Sequence, residues 1–86
     1  MELISDDALK SWIIKKLVRK QCWGKGHISG DNLVKGSPPE LKKRLLRIAN
    51  TLVKEGNLVK FPHGSEEHYY LNPNRRKDIY KIIEEL

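Results

Sequence analysis

The sequence predicts one small α+β domain, in which three helices surround a core and a short antiparallel β-hairpin and a further C-terminal helix complete the fold. Three observations predict this class. The chain has 86 residues, which fits a single domain spanning 1–86. Two long stretches in its first two thirds carry apolar residues at helical spacing. Between residues 57 and 71, two short runs rich in aliphatic and aromatic residues flank a turn-forming segment.

The first helix is predicted to run from Asp6 to Gln21. Ser5 is suited to cap it, and Asp6 and Asp7 fall in the first turn, where carboxylates favour the helix dipole. Apolar residues recur there at helical spacing, and they are Leu9, Trp12, Ile13, Leu17 and Val18. Two glycines then break the chain, and residues 25–28 can supply a very short strand.

A short second helix is predicted over residues 31–35. Ser29 or Asp31 can cap its start, and Gly36 suits the left-handed position that ends a helix. This helix presents Leu33 to the predicted core.

The third helix, over residues 38–55, has the strongest local signal in the chain. The run Ser37-Pro38-Pro39-Glu40 matches a capping box with proline at the first helical position, and Gly56 ends the helix. We predict a core built from the three helices, with members Leu9, Trp12, Ile13, Leu17, Leu33, Leu41, Leu45, Ile48, Ala49 and Leu52.

The C-terminal part predicts a β-hairpin and a fourth helix. Residues 58–61 and 68–71 are predicted as strands, with a turn over residues 62–67. Asn72 and Pro73 then open the last helix. Its apolar stripe consists of Ile79, Ile82, Ile83 and Leu86. A domain this small offers little surface to cover that stripe, so we predict a homodimer with this helix at the interface.

The charge distribution favours a polyanionic partner. Lys and Arg total 17 against 11 Asp and Glu, which gives a formal net charge of +6. Residues 1–36 carry seven basic and four acidic groups, and residues 37–56 carry five and two, whereas residues 57–86 carry five of each. A local positive surplus attracts nucleic acid. An ordinary solubilising surface is the alternative interpretation, and charge alone does not separate the two.

Other function classes receive little support. The single cysteine, Cys22, excludes a disulfide within the chain and favours a reducing compartment. With no apolar run of membrane-spanning length and no basic-then-apolar start, the sequence predicts a cytoplasmic protein without a membrane partner. Cys22, His27, His63 and His68 match no zinc-ligand spacing, so they are interpreted as scattered residues, and neither a metal nor another cofactor is predicted. The sequence contains no recognisable nucleophile–base pair or phosphate-binding loop, so no enzymatic activity is predicted.

The order of the predicted elements resembles the winged helix-turn-helix superfamily from about Ser5 to Leu71. The residues that carry the resemblance are 33–37, 41–56 and 57–60, and the last helix resembles the extra helix that many members add. No single family within the superfamily is assigned. The resemblance implies a small DNA-binding transcription regulator, although members of this superfamily also bind RNA or mediate protein contacts.

The resemblance also implies that helix 38–55 is the recognition helix, which enters the major groove of double-stranded DNA. Opposite its apolar stripe lie residue types that suit base edges and phosphates, and acidic residues are missing from the centre of that face. An ordinary solvated helix face is the alternative interpretation. The predicted nucleic-acid-binding residues are Lys43, Arg47, Asn50 and Lys54 on this face, Arg44 and Thr51 on its flank, and Lys20 and Lys25 outside the helix.

A protein-interaction or RNA-binding subunit of a larger complex remains the alternative to DNA binding. The predicted hairpin turn contains Glu66 and Glu67, whose carboxylates repel phosphates and do not favour minor-groove contact. Trp23, Leu46 and Ile79 also favour a protein partner, although Trp23 is interpreted first as a packing residue. The basic face of the third helix favours DNA.

Overall fold

The helices and strands follow the predicted order in a computed structural model, which describes residues 4–84. These residues form an α+β fold with four α-helices and one three-stranded antiparallel sheet. The elements are α1 (Asp6–Arg19), β1 (Ile28–Ser29), α2 (Gly30–Val34), α3 (Lys42–Lys54), β2 (Leu58–His63), β3 (Glu66–Leu71) and α4 (Arg76–Glu84), with 3-10 turns at Pro39–Leu41 and Pro73–Arg75. No helix among these residues is long and apolar enough to cross a membrane.

Helix α1 begins as predicted and ends two residues early. The Ser5 hydroxyl accepts a hydrogen bond from the Ala8 amide at 3.1 Å, which satisfies one of the free N–H groups of the first turn. At the other end, Gln21 adopts a left-handed φ of 56°, and the Cys22 amide donates to the Leu17 carbonyl at 3.0 Å. This reversal turns the chain out of the helix and buries Cys22 under it.

Helix α2 has five residues, too few to persist without tertiary contacts. Ser29, the first of the two predicted caps, accepts from the Asn32 amide at 3.2 Å. At the C-terminal end, the Lys16 ammonium group donates to the carbonyl oxygens of Asn32 (2.6 Å), Leu33 (3.0 Å) and Lys35 (2.7 Å). Burial lowers the pKa of Lys16, and neighbouring cations lower it further. A lysine of α1 therefore caps α2 and fixes the two helices together.

The predicted capping box of the third helix is wrong. The Ser37 hydroxyl donates to the Val34 carbonyl at 2.6 Å, so it closes the end of α2 instead of capping α3. Pro39 disfavours the helical conformation in the residue before it, and Pro38 is accordingly extended with ψ 143°. A 3-10 turn follows, and regular α-helix begins only at Lys42. The C-terminal end is as predicted, because Gly56 takes a φ of 86°.

The β-hairpin is longer than predicted. Residues 62–63 and 66–67, assigned from sequence to the turn, continue the two strands, and His63 pairs with Glu66. The turn is limited to Gly64 and Ser65, with Gly64 at a φ of 66°, as the first position of a tight two-residue hairpin turn requires. The strand order is β1-β3-β2, so Pro62 lies on an edge strand, where its missing N–H is tolerated.

The core lies between α1, α2, α3, α4 and the inner face of the sheet. Eight of the ten predicted members are buried, whereas Trp12 and Leu41 are half-buried at its edge. Sequence reasoning missed Ile14, which is fully buried on α1. The core also takes in residues from outside the three helices, and they are Cys22, Leu58, Tyr69, Leu71 and Ile79.

Helix α4 covers α1 with part of its apolar stripe. Ile79 is fully buried, and Ile82 and Ile83 are half-buried against the core. Leu86, the last member of the predicted stripe, lies outside the described residues. Helix α1 therefore covers part of the apolar stripe of α4 within the same chain.

Candidate functional site

The outward face of α3 carries the main concentration of positive charge. Helix α3 contains five basic residues and no acidic one. The side chains of Lys43, Arg47 and Lys54 are exposed, and Asn50 is half-buried among them. Within residues 4–84, no carboxylate lies within ion-pair distance of these three cations. Their charge is therefore available to a partner.

The two predicted flank residues are engaged by the protein itself. Arg44 donates through Nη2 to the Asp6 carboxylate at 2.6 Å and to the Ile4 carbonyl at 2.7 Å. This contact fixes the start of α1 against α3. The Thr51 hydroxyl donates to the Arg47 carbonyl at 3.2 Å within the helix. Arg44 and Thr51 therefore help to build the surface, and a ligand would have to compete for them.

Lys60 joins this surface from β2, although sequence reasoning did not select it. Its ammonium group donates to the Asn50 Oδ1 at 3.0 Å. The contact follows from the packing of β2 beside α3, which residue spacing alone does not reveal. We define the basic face as Lys43, Arg47, Asn50 and Lys54 of α3 together with Lys60.

A second basic surface lies where α1 ends beside α2. The predicted residue Lys20 lines an open groove there with Arg19 and Lys35, which were not predicted. Lys16 also lines the groove, but its ammonium group is occupied by three carbonyl oxygens. Among residues 4–84, no acidic side chain lines this groove. Lys25, the last predicted residue, is exposed in the loop before β1.

Two carboxylates near the ends of α3 are neutralised by ion pairs. Asp6 is bound to Arg44, and Glu55 accepts from the Lys10 ammonium group at 2.8 Å. Both pairs bind α1 to an end of α3. Among the described residues, the exposed Glu40 in the turn before α3 is not within ion-pair distance of any cation, whereas α3 itself contains no acidic group.

Another open groove runs between α1, the end of α3 and α4. Its cations are paired, because Lys10 binds Glu55 and Arg75 lies 3.4 Å from the Asp78 carboxylate. The lining residues are Asp7, Lys10, Glu55, Asn57, Arg75, Asp78 and Ile82. This balance of charges gives no attraction for a polyanion.

The structure brings together three histidines that the sequence interpretation treated as scattered. The Nδ1 atoms of His27 and His68 lie 2.9 Å apart. The ring centre of His63 is 4.6 Å from that of His68 and 5.1 Å from that of His27. As the side chains stand, no three His, Cys, Asp or Glu residues in the described chain already form a metal-binding group.

Cys22 lies apart from the histidines in the packed core. Burial raises the pKa of its thiol, and the nearby Lys20 lowers it by less. A buried thiol held in its neutral form is a packing group rather than a nucleophile or a metal ligand.

Trp23 packs against α4, as the sequence interpretation favoured. The guanidinium of Arg76 lies 4.1 Å from the centre of a Trp23 ring, and the Tyr80 ring centre is 6.0 Å away. The stack fixes the loop after α1 to α4, on a surface separate from the residues of α3.

Comparisons with known proteins supply no relative for this chain. No family model, no curated protein and no solved structure matches it. Functional assignment therefore depends on the charges and geometry described above.

Proposed function

We propose that this chain is a winged helix-turn-helix domain that binds double-stranded DNA, inserts α3 into the major groove and serves as a small transcription regulator. The observation that carries the proposal is the basic face, where exposed cations have no carboxylate within ion-pair distance among the described residues. A positive surface without internal compensation attracts phosphates and releases their counterions on binding.

The residue types on the basic face suit two separate roles. Arg47 lies near the middle of α3, where its guanidinium suits the paired acceptors of guanine. Lys43 and Lys54 lie near the two ends, where ammonium groups suit the phosphates that border the groove. Asn50 suits adenine, and in that role its Oδ1 would exchange Lys60 for a base amino group. Lys60 would then bind a phosphate.

The second basic surface supports the same assignment. Arg19, Lys20 and Lys35 surround an open groove beside the short helix α2. In a helix-turn-helix the element that precedes the recognition helix crosses the sugar–phosphate backbone. These three cations would take that phosphate contact, while α3 reads the bases.

The β2–β3 hairpin would be the wing in this proposal. Its outer end carries the exposed Glu66 and Glu67. Because carboxylates repel phosphates, we propose that the tip lies away from the duplex and that binding depends on the helices.

A protein-interaction function is the second candidate, and two observations favour it. The hairpin tip is acidic, and Tyr80 is 36% exposed beside the Trp23–Arg76 stack. Aromatic residues with an arginine are typical of protein interfaces.

The half-buried Ile82 and Ile83 support the related proposal of a homodimer through α4. RNA binding is a further alternative to DNA binding, because the basic face also suits the phosphates of an A-form RNA helix.

Single substitutions separate base reading from phosphate binding. We expect Lys43→Ala and Lys54→Ala each to weaken binding to all duplexes alike. Each substitution should also make the slope of log affinity against log salt shallower by about one. We expect Arg47→Ala to reduce discrimination between duplex sequences by about 1–3 kcal/mol, because a bidentate base contact is lost. The measurement is fluorescence anisotropy with duplexes of differing sequence at several salt concentrations.

The control for these variants is Lys77→Ala, which removes an exposed charge from α4. We expect it to bind like the parent chain. If Arg47→Ala leaves sequence discrimination unchanged and Lys77→Ala weakens binding as much as Lys43→Ala, the basic face is not the reading surface. That outcome is expected of a protein-interaction domain, because such a domain would attract DNA only through its overall positive charge and would not hold the duplex in one orientation.

A further inference from the structure

We infer that His27, His63 and His68 form a binding site for one divalent transition-metal ion of the kind that imidazole prefers, such as Zn²⁺ or Ni²⁺. Each histidine comes from a different segment: the loop before β1, the end of β2, and β3. The inference is independent of DNA binding.

Strand register explains why the three side chains meet. Side chains alternate between the two faces of a sheet, and directly paired residues share a face. Phe61 pairs with His68, and His63 lies two residues beyond Phe61 on the same strand. Ser29 of β1 also pairs with His68, which places His27, two residues earlier, on that side. Tyr69 and Leu71, on the opposite face of the sheet, are buried in the core, so the histidines occupy the outer face.

Two of the three nitrogen ligands lie close enough that a small separation would place both on one ion. Imidazole nitrogens bind zinc at about 2.0–2.1 Å, so two nitrogens on one tetrahedral ion stand about 3.3 Å apart. The Nδ1 atoms of His27 and His68 are separated by 2.9 Å. Without an ion, one of these nitrogens must carry a hydrogen and donate to the other. An ion would replace that hydrogen and bind both lone pairs.

His63 supplies the third nitrogen by turning its side chain. It is exposed at the end of β2, so its rotation disturbs no core contact. Its ring centre is within 5.1 Å of both other rings, and binding of the ion would require the side chain to turn one nitrogen towards theirs. Three histidines leave one position of a tetrahedral ion open to water or to a ligand from a partner.

The histidine cluster has an aromatic neighbour on one side and a carboxylate neighbour on another. Phe61 packs edge-on against His27, with ring centres 5.0 Å apart, and forms an apolar wall beside the cluster. The Glu66 carboxylate lies 3.8 Å from the His68 Nε2, just beyond hydrogen-bond distance, and its exposed side chain would have to move closer to accept from that nitrogen. A carboxylate that accepts from the second ring nitrogen orients a metal-binding histidine and increases its basicity. Glu66 is therefore assigned as the positioning residue of the site.

A bound ion would join the loop before β1 to the tip of the hairpin. In the metal-free protein that end of the sheet is held by the short pairing of β1 with β3 and by the two-residue turn. An ion that binds only the folded hairpin stabilises it by an amount that grows with the logarithm of the ion concentration relative to its dissociation constant. The hairpin should therefore be more rigid with metal than without it.

Calorimetric titration of untagged, EDTA-treated protein with ZnCl₂, and separately with NiCl₂, tests the site. We expect one ion per chain, and a thermal midpoint that rises by several degrees with metal and returns with EDTA. His27→Ala, His63→Ala and His68→Ala should each weaken binding by at least about tenfold. Circular dichroism of each variant establishes that it is folded. If His68→Ala does not fold, the other two variants decide.

The matched pair Glu66→Gln and Glu67→Gln tests the positioning role. Both substitutions remove one charge from the same hairpin, but only Glu66 lies near a histidine nitrogen. We expect Glu66→Gln to weaken metal binding by about tenfold and Glu67→Gln to leave it unchanged. No saturable binding, a stoichiometry other than one, or binding that survives His63→Ala at parent affinity overturns the three-histidine site. Equal effects of the two glutamate variants overturn the role of Glu66.

Discussion

Replacing Lys43, Arg47, Asn50 and Lys54 together by alanine is expected to lower affinity for duplex DNA by at least about 100-fold, because phosphate and base contacts are both lost. All four side chains project from one side of α3, and none contributes to the core. The fold should therefore remain intact, as circular dichroism and the thermal midpoint can establish. The measurement is an anisotropy titration of parent and variant against the same labelled duplex.

A control variant removes exposed positive charges from another helix. Lys77 and Lys81 are exposed on α4 and take no part in the Trp23–Arg76 stack, and their joint replacement by alanine lowers the net charge by two, against three for the α3 variant. We expect this control to lose only a few-fold in affinity, through the weaker overall field. Parent-like binding by the α3 variant, or an equal loss in both variants, would show that α3 is not the reading head.

Leu45→Ala is expected to lower the free energy of unfolding by about 2–5 kcal/mol, because it leaves a cavity in a well-packed core. Leu45 is only 1% exposed and lies on the inner stripe of α3, opposite the basic face. The loss is measured as a shift in the urea midpoint with an unchanged denaturant slope. Leu45 also helps to pack α3 against α1. The packing of the inner stripe of α3 therefore determines how the basic face is presented on its outer side.

The neighbouring residue provides the control for that measurement. Leu46 is half-buried, where it meets the start of α2. Leu46→Ala removes the same atoms from a site that water already reaches in part, so its cost should be clearly smaller. An unchanged midpoint for Leu45→Ala, or a larger loss for Leu46→Ala, would contradict the arrangement of the core.

Sequence reasoning succeeded where a residue acts on its own neighbours along the chain. The Ser5 cap and the Gly56 stop each depend on a few adjacent residues, and the inner stripe of α3 follows from helical periodicity. It failed where two local rules compete. Ser37 with Glu40 satisfies the capping pattern, but Pro39 holds Pro38 extended and moves the start of the helix onward.

The candidate site was predictable only in its local part. The outward stripe of α3 follows from its periodicity, but the partners of Arg44 and Asn50 lie far along the chain. The histidine cluster depends on strand register, and the predicted turn over residues 62–67 concealed it. Assigning a two-residue turn at Gly64 would have placed His63 and His68 on one face.

One titration tests the central claim most directly. The parent chain is titrated against a labelled duplex at about 50 mM and about 200 mM salt, two concentrations that separate phosphate contact from other modes of binding. With at least three phosphate contacts from the basic face and the Arg19–Lys20–Lys35 groove, the slope of log affinity against log salt should be about −2.7 or steeper. The affinity should then fall by at least about 40-fold between the two concentrations. Absence of binding at the lower concentration, or an affinity that is the same at both, would contradict the proposal that this protein binds DNA through α3.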